Sequence, residues 1–361
     1  MYQIMKRRWL AIALIVLLTA AVLLPACSST AAPTTAPTPA PAAPAPEQMF
    51  KWKLTTIFDK TDAMFPNVIN KVIQKVTDIS KGRFQITAYG VNELMGQDAI
   101  FDGVRNGVVD MALVGPAAYG GSMPEGFFEF GLPMSWSNMI DFYALMYQFG
   151  GADIMTQAYA EKNIEFIGPN PGAGFLIYSK KPLNSVADLK GLKIRATGDF
   201  QKLMQNAGAA VTNVALPEIY TALSTGTIDA VCTASATYIN WKHYELAKYY
   251  INVPLLQPTV VDFIANKDAW NKLPADLREL LRTAVLSVGP YDAVRQNQHD
   301  ALQILDNVRN KWGGTVITWS DSDMVQLRTY ADSILDQHAQ RSPRAAQQVK
   351  ILKDYRTLVG K

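Results

Sequence analysis

The chain has 361 residues, 49% hydrophobic and 18% charged, enough apolar material for two ordinary domains with a core each. Of its 34 basic residues, Lys6, Arg7 and Arg8 fall in an expected export signal; the remaining 31 balance 31 acidic residues, which argues against a nucleic-acid partner that would need a basic patch. Two cysteines and three histidines leave little room for a disulfide framework or a metal cluster.

Residues 1–27 read as an export signal. Lys6-Arg7-Arg8 form its positive start and Leu10–Leu24 its apolar run. It ends Leu24-Pro25-Ala26-Cys27, similar to a bacterial lipobox, so Cys27 is expected to become the lipidated first residue of the mature chain. The competing reading is a membrane-spanning anchor, but the run is short and no basic stop follows it. Residues 28–48 (SSTAAPTTAPTPAPAAPAPEQ) cannot build a core, and their prolines stiffen them into an extended tether. A lipid followed by a stiff spacer describes a globular protein held off a membrane surface.

The globular part opens with an expected strand at Phe50–Ile57, a helix over Pro66–Ser80 and a strand at Phe84–Tyr89. A helix over Gln97–Arg105, a stop at Gly107 and a strand at Val109–Val114 repeat the pattern. The segments DGVRNGVVDMALVG (102–115) and TALSTGTIDAVCTA (221–234) echo each other, either because one unit is used in two similar lobes or because any such fold yields echoes. Residues 120–138 form a long loop too aromatic to be disordered. Helices at Asp141–Gly150 and Ile154–Glu161 and a strand at Glu165–Gly168 follow. The turn-rich Gly168–Gly174 is expected to cross between lobes, and Phe175–Ser179 to begin the second.

Residues 190–231 carry the densest pattern. A strand at Lys193–Thr197 holds one cation, Arg195; a helix from Asp199 to Asn206 stops at Gly208. A strand at Ala210–Val214, a helix from Pro217 to Gly226 and a strand at Ile228–Val231 complete a β-α-β-α-β run, which implies a wound, largely parallel sheet. Arg195 ends a core strand, where such folds place ligands, although a structural ion pair would occupy the same place. Beyond it are expected an amphipathic helix at Tyr238–Tyr250 and a strand at Pro258–Asn266 returning to the first lobe. Helices follow at Pro274–Val288 and Asp292–Lys311, then a strand at Thr315–Thr318 and helices at Ser320–His338 and Ala345–Leu358.

Catalytic constellations are missing: there is no G-x-G-x-x-G after a strand, no Walker loop and no G-x-S-x-G elbow. His243, His299 and His338 sit on expected helices without partners at ligand spacing and read as surface residues. Cys232 reads as a buried inert thiol. An exported, tethered, two-lobed α/β protein of this kind reads as a binding protein rather than an enzyme, with no metal or cofactor.

The run LKGLKIR (189–195), followed by a helix and P-E-I-Y-x-A-L-x-x-G-x-I-D-A (217–230), resembles the substrate-binding proteins of TRAP transporters, tripartite ATP-independent periplasmic transporters of the DctP type. SKKPL (179–183), KHYELAKYY (242–250) and NGVVDMAL (106–113) extend the likeness over residues 50–340. The resemblance implies a two-lobe, periplasmic-binding-protein-like α/β fold with a ligand cleft between lobes that close about a hinge. It divides the chain into lobe I (49–172 plus 261–300) and lobe II (173–260 plus 301–361). It also implies an extracytoplasmic receptor, in the periplasm or on the outer face of the cell membrane, that hands an organic acid to a small and a large permease subunit. The arginine of the LKGLKIR-type run, here Arg195, then pairs with the ligand carboxylate. Phe58, Tyr119, Trp136, Phe175, Thr233 and Tyr238 complete the expected ligand-binding set, and Tyr119, Trp136 and Phe175 would favour an apolar body behind the carboxylate if they line the cleft rather than the core. Two departures argue against a metal-bridged oxoacid or a sialic-acid type ligand: Phe175 stands where some members carry a second arginine, and Cys232 where others carry a metal-binding glutamate. The alternatives are a binding protein of an ATP-driven importer and, less favoured, an extracytoplasmic enzyme acting on a carboxylic acid.

Overall fold

The computed structural model of the protein describes residues 48–130, 132–295 and 301–360. The expected export signal with Cys27, the tether up to residue 47, and His299 lie outside them. In chain order the strands are β1 (Phe50–Thr56), β2 (Phe84–Tyr89), β3 (Met111–Val114), β4 (Ile164–Pro171), β5 (Phe175–Ser179) and β6 (Lys193–Arg195). They continue with β7 (Ala210–Thr212), β8 (Ala230–Ala234), β9 (Tyr249–Leu256), β10 (Val260–Asn266) and β11 (Thr315–Ile317). They form two mixed sheets, ordered β2-β1-β3-β10-β4 and β11-β9-β5-β8-β6-β7.

In the first sheet β1 runs parallel to β2 and β3, while β10 enters antiparallel between β3 and β4. Its outer face is covered by the helices Asn70–Ile79 and Ala275–Val294. Val72 and Val76, four residues apart, are both fully buried there with Leu54, Phe263 and Leu281. Each such side chain contributes roughly 1.5–3 kcal/mol by leaving water.

In the second sheet β6 runs parallel to β7 and β8, and β11 parallel to β9, while β5 is antiparallel to β8 and β9. Strand alternation explains its two cores. Ala230 and Cys232 of β8 join Ile177 and Ile194 on one face, whereas Val231 joins Tyr178 and Tyr250 on the other, beneath the helices Ile219–Thr225, Ser235–Asn240 and Ala301–Asn310. Gly226 caps the helix Ile219–Thr225 with a left-handed φ of +76°, the conformation the sequence assigns it.

The chain passes from the first sheet to the second at 172–174 and returns at 257–259; the helix ending at Val294 packs on the first sheet and the helix starting at Ala301 on the second. The last helix, Pro343–Leu358, packs on Gly151–Ala160 beside the first sheet, while Asp321–Ala339 packs on Asp199–Asn206 beside the second. With the aromatic stretch around Phe128, Trp136 and Phe142, these helices make one apolar core facing both sheets.

Several expectations need correction. Tyr238–Tyr250 is not one helix: Ser235–Asn240 ends where Lys242 takes a left-handed φ of 55°, and Tyr249 onwards forms β9, whose aromatic and β-branched side chains favour a strand. β4 continues through Pro169 and Pro171, where a turn was expected. It is an edge strand, so the missing N–H groups cost no ladder bond. Gly289-Pro290 does not end its helix: Ala275–Val294 continues through it, packed along β4 so closely that a Cβ at Gly289 would lie 2.9 Å from Asn170 Oδ1. His243 and His338, expected at the surface, are fully buried.

Candidate functional site

Both sheets contribute to a cavity of about 270 Å³. From the first sheet come Ile57, Phe58, Asp62, Ala63 and Met64, the turn that follows β1. From the second come Ala234, Ser235, Ala236, Ile239 and Asn240, the end of β8 and the helix it feeds. The crossing segments add Gly172, Ala173, Thr259 and Val261; Phe130, Arg295 and Ile304 complete the wall. The cavity thus sits at the carboxyl ends of β1 and β8, outside the strands, where wound α/β sheets bind their ligands. Most of the wall is apolar.

Arg195 does not line this cavity. In register it stands beside Val231 of β8, which pairs with Tyr178 of β5, so all three point to one face. Thr233, two residues beyond Val231, shares that face, and the helix Ser235–Asn240 starts just after it. Arg195 is 5% exposed, and its Nε donates to Val214 O at 3.0 Å. Among the described residues it makes no ion pair. Burial pulls the guanidinium below its ordinary pKa, opposed by the Tyr178 phenol and the Cys232 thiol. It nevertheless keeps its charge, as arginine does in proteins.

Neutral groups surround it. The Tyr178 hydroxyl lies 2.7 Å from His243 Nδ1, and burial holds that imidazole down to about 4 and pushes the phenol up. Cys232 faces the opposite core, its thiol pushed up to about 12 by burial, so it remains neutral at any ordinary pH. A neutral thiol offers a hard cation no oxygen, and among the described residues no group of three or more His, Cys, Asp and Glu is placed to hold a metal ion.

The remaining expected residues divide. Phe58 lines the cavity. Phe175 backs it: its ring stacks on Phe200 with centroids 4.4 Å apart and meets the edge of Phe130, which does line it. Thr233 is buried directly before Ala234. Tyr119, Trp136 and Tyr238 are not brought to the cavity. Tyr119 stacks on Phe101, Trp136 Nε1 donates to Pro258 O at 2.7 Å, and the Tyr238 hydroxyl donates to Ala247 O at 2.9 Å within an aromatic cluster.

Sequence reasoning missed Asp62, Asn240, Thr259 and Arg295. Asp62 had a usable signal, because it follows the end of a first parallel strand; its carboxyl accepts from Met64 N at 2.8 Å and is raised mainly by burial. Arg295 pairs with the buried Asp292 at 2.9 Å at the end of a helix where nothing in the pattern marks a site.

Residues 57–342 match the model of the bacterial extracellular solute-binding protein family 7. The chain is 30% identical over 296 residues to a monocarboxylate 2-oxoacid-binding periplasmic protein of Nostoc sp., covering 81% of this chain and 80% of that one. A solved TRAP periplasmic solute-binding protein from Colwellia psychrerythraea, with bound calcium and pyruvate, superposes with a TM-score of 0.74 at 26% identity, covering 86% of this chain and 95% of that one. One from Rhodoferax ferrireducens with bound malonate gives 0.73 at 24%, over 85% of this chain and 99% of that one. The fold is accordingly the two-lobe fold of periplasmic binding proteins, with the cavity in the cleft between its sheets.

Proposed function

This chain belongs to the bacterial extracellular solute-binding protein family 7, and from that premise we propose that it binds a small organic acid outside the cytoplasm and delivers it to a TRAP-type permease of a small and a large subunit. The observation that carries the reading is Arg195, a buried guanidinium with no carboxylate partner among the described residues. An isolated buried charge is costly, and it is retained where a ligand supplies the opposite charge. Nε is committed to Val214, which leaves the two terminal nitrogens for the bidentate grip that suits a carboxylate.

The cavity wall supports an acid with an apolar body and one charge. Its volume of about 270 Å³ lies just below the roughly 300–1,000 Å³ usual for small-molecule sites, which favours a small ligand. The 2-oxoacid of the Nostoc relative and the pyruvate of the Colwellia structure belong to the same chemical class. Phe58, Phe175 and Thr233 shape the site; Tyr119, Trp136 and Tyr238 act as its supports. With Cys232 where a metal-binding carboxylate would be needed, the protein holds the acid directly. Lobe I (49–172 plus 261–300) and lobe II (173–260 plus 301–361) close on it by bending at the crossing segments, and the acid leaves chemically unchanged. Cys27 carries a lipid that keeps the receptor at the membrane, and Cys27→Ser should release it from the membrane fraction; retention there would count against the anchor.

Mass spectrometry of the small molecule that copurifies, with a thermal-shift screen of carboxylic acids, tests the main reading. Wild type should melt higher with at least one acid, and Arg195→Ala should lose that shift. A copurifying ligand without an anionic group, or an equal shift in both proteins, would overturn it.

A further inference from the structure

Behind the cavity wall lies an acidic pair to which the receptor reading gives no role. Glu129, in the short helix Phe127–Phe130, and Asp262, in β10, are both fully buried. Their carboxyl groups lie within hydrogen-bonding reach of each other. Asp262 Oδ2 accepts from the Tyr159 hydroxyl at 2.5 Å, and that hydroxyl lies 2.5 Å from the Tyr119 hydroxyl. The other three carboxyl oxygens, both of Glu129 and Oδ1 of Asp262, are shut off from solvent and meet no donor from the protein.

Among the described residues none supplies a counter-charge to the pair. Tyr119 from the turn Pro116–Tyr119, Tyr159 from the helix Gly151–Ala160 and Tyr147 from the segment Ala144–Gln148 reach the pair as phenols. β3 and β4 set Val114 and Pro169 beside Asp262. Arg282 reaches as far as Tyr147, but it is engaged with Glu165 at 2.8 Å. Two ionised carboxylates in contact and away from water repel each other with nothing to offset the repulsion. A single proton between them turns one orphaned acceptor into a donor and removes the repulsion.

We propose that Glu129 and Asp262 hold one shared proton at neutral pH, and that this proton fastens the helix Phe127–Phe130 to the crossing strand β10. Tyr159 donates to Asp262, so Asp262 keeps the negative charge and Glu129 carries the proton. Burial is the main cause that raises both carboxyls above their ordinary range, and they titrate as a unit. The neighbours in sequence, Phe130 and Val261, both line the cavity, so the fastened pair backs two of its walls.

The consequence is a pH dependence opposite to that of a salt-bridged acid. In the unfolded chain both carboxyls ionise above about pH 4, while the folded protein keeps one proton. Native protein therefore binds more protons than unfolded protein, and stability falls as pH rises, by about tenfold in the unfolding constant per pH unit until the folded pair itself deprotonates. Glu129→Gln places a permanent N–H donor opposite Asp262 and removes the titration. In urea unfolding between about pH 5 and 8, the unfolding constant of wild type relative to Glu129→Gln should climb about tenfold per unit. A ratio independent of pH overturns the proposal. Should Glu129→Gln fail to fold, infrared spectroscopy of wild type decides: the carbonyl stretch of a buried neutral carboxylic acid should persist at neutral pH, and its absence overturns the shared proton. Neither arm uses a ligand, so the outcome is independent of the receptor reading.

Discussion

Replacing Arg195 separates a ligand-binding guanidinium from a structural one. In the ligand-free protein its charge is buried at 5% exposure and held by one neutral hydrogen bond, to Val214 O at 3.0 Å. Nothing in the fold depends on that charge, so Arg195→Met, which keeps length and apolar volume, should melt no lower than wild type without ligand. Binding is a different matter. Breaking a buried, hydrogen-bonded charge pair by removing one partner costs about 3–5 kcal/mol. Each 1.4 kcal/mol is tenfold in affinity, so Arg195→Ala should bind between about a hundredfold and a few thousandfold more weakly. Arg195→Lys should recover only part, because an ammonium cannot reproduce the planar fork. The assay is calorimetric titration of each folded variant with the acid that copurifies with wild type. Affinity within a few-fold of wild type for Arg195→Ala, or a large fall in the melting point of ligand-free Arg195→Met, would refute the reasoning.

Three further outcomes are expected. Ala236→Leu pushes a larger side chain into the cavity of about 270 Å³ and should weaken the same acid at least about tenfold in titration, with little change in ligand-free melting. Trp136→Phe orphans the buried Pro258 carbonyl and should cost about 1–3 kcal/mol in urea unfolding while leaving affinity within a few-fold, because Trp136 is a support and not a wall. His338 is held down to about 4 by burial, so it stays neutral in the fold while the unfolded chain protonates near its usual 6.5. Its contribution is complete above about pH 6.5 and is lost as pH falls towards about 4. Over that window the unfolding constant of wild type relative to His338→Gln should rise about tenfold for each unit of pH lost, and a flat ratio would place the titration elsewhere.

Much of the second sheet was legible because its signals are local. β6, the helix stop at Gly226 and β8 follow from β-branched runs and glycine punctuation, and the structure moves their ends by a few residues at most. What failed was tertiary. Tyr249–Leu256 directly follows a segment with helical spacing, and only pairing with β5 and β11 makes it a strand. The prolines of β4 suggest a turn until the strand is known to be an edge. His243 and His338 look exposed because helix periodicity does not reveal what packs on a helix from elsewhere in the chain. Cavity residues such as Thr259, and the Glu129–Asp262 pair, arise from segments more than a hundred residues apart, and no spacing rule joins them. Arg195 stands out in the sequence as a lone cation at the end of a core strand, and the structure places it buried on that strand and off the cavity wall.

The order of the strands has a consequence for how copies of the protein meet one another. A sheet ends in unpaired backbone groups that can recruit a strand from a neighbouring molecule. Here the second sheet ends on both sides in strands of three residues, β7 and β11, and the first ends on one side in β4 with its two prolines. That leaves β2 as the longest regular edge, and its alternate side chains, Gln85 and Thr87 among them, point polar groups outward. Many copies can therefore crowd side by side without zipping into fibres, and the protection is written into strand length and proline placement rather than into charge.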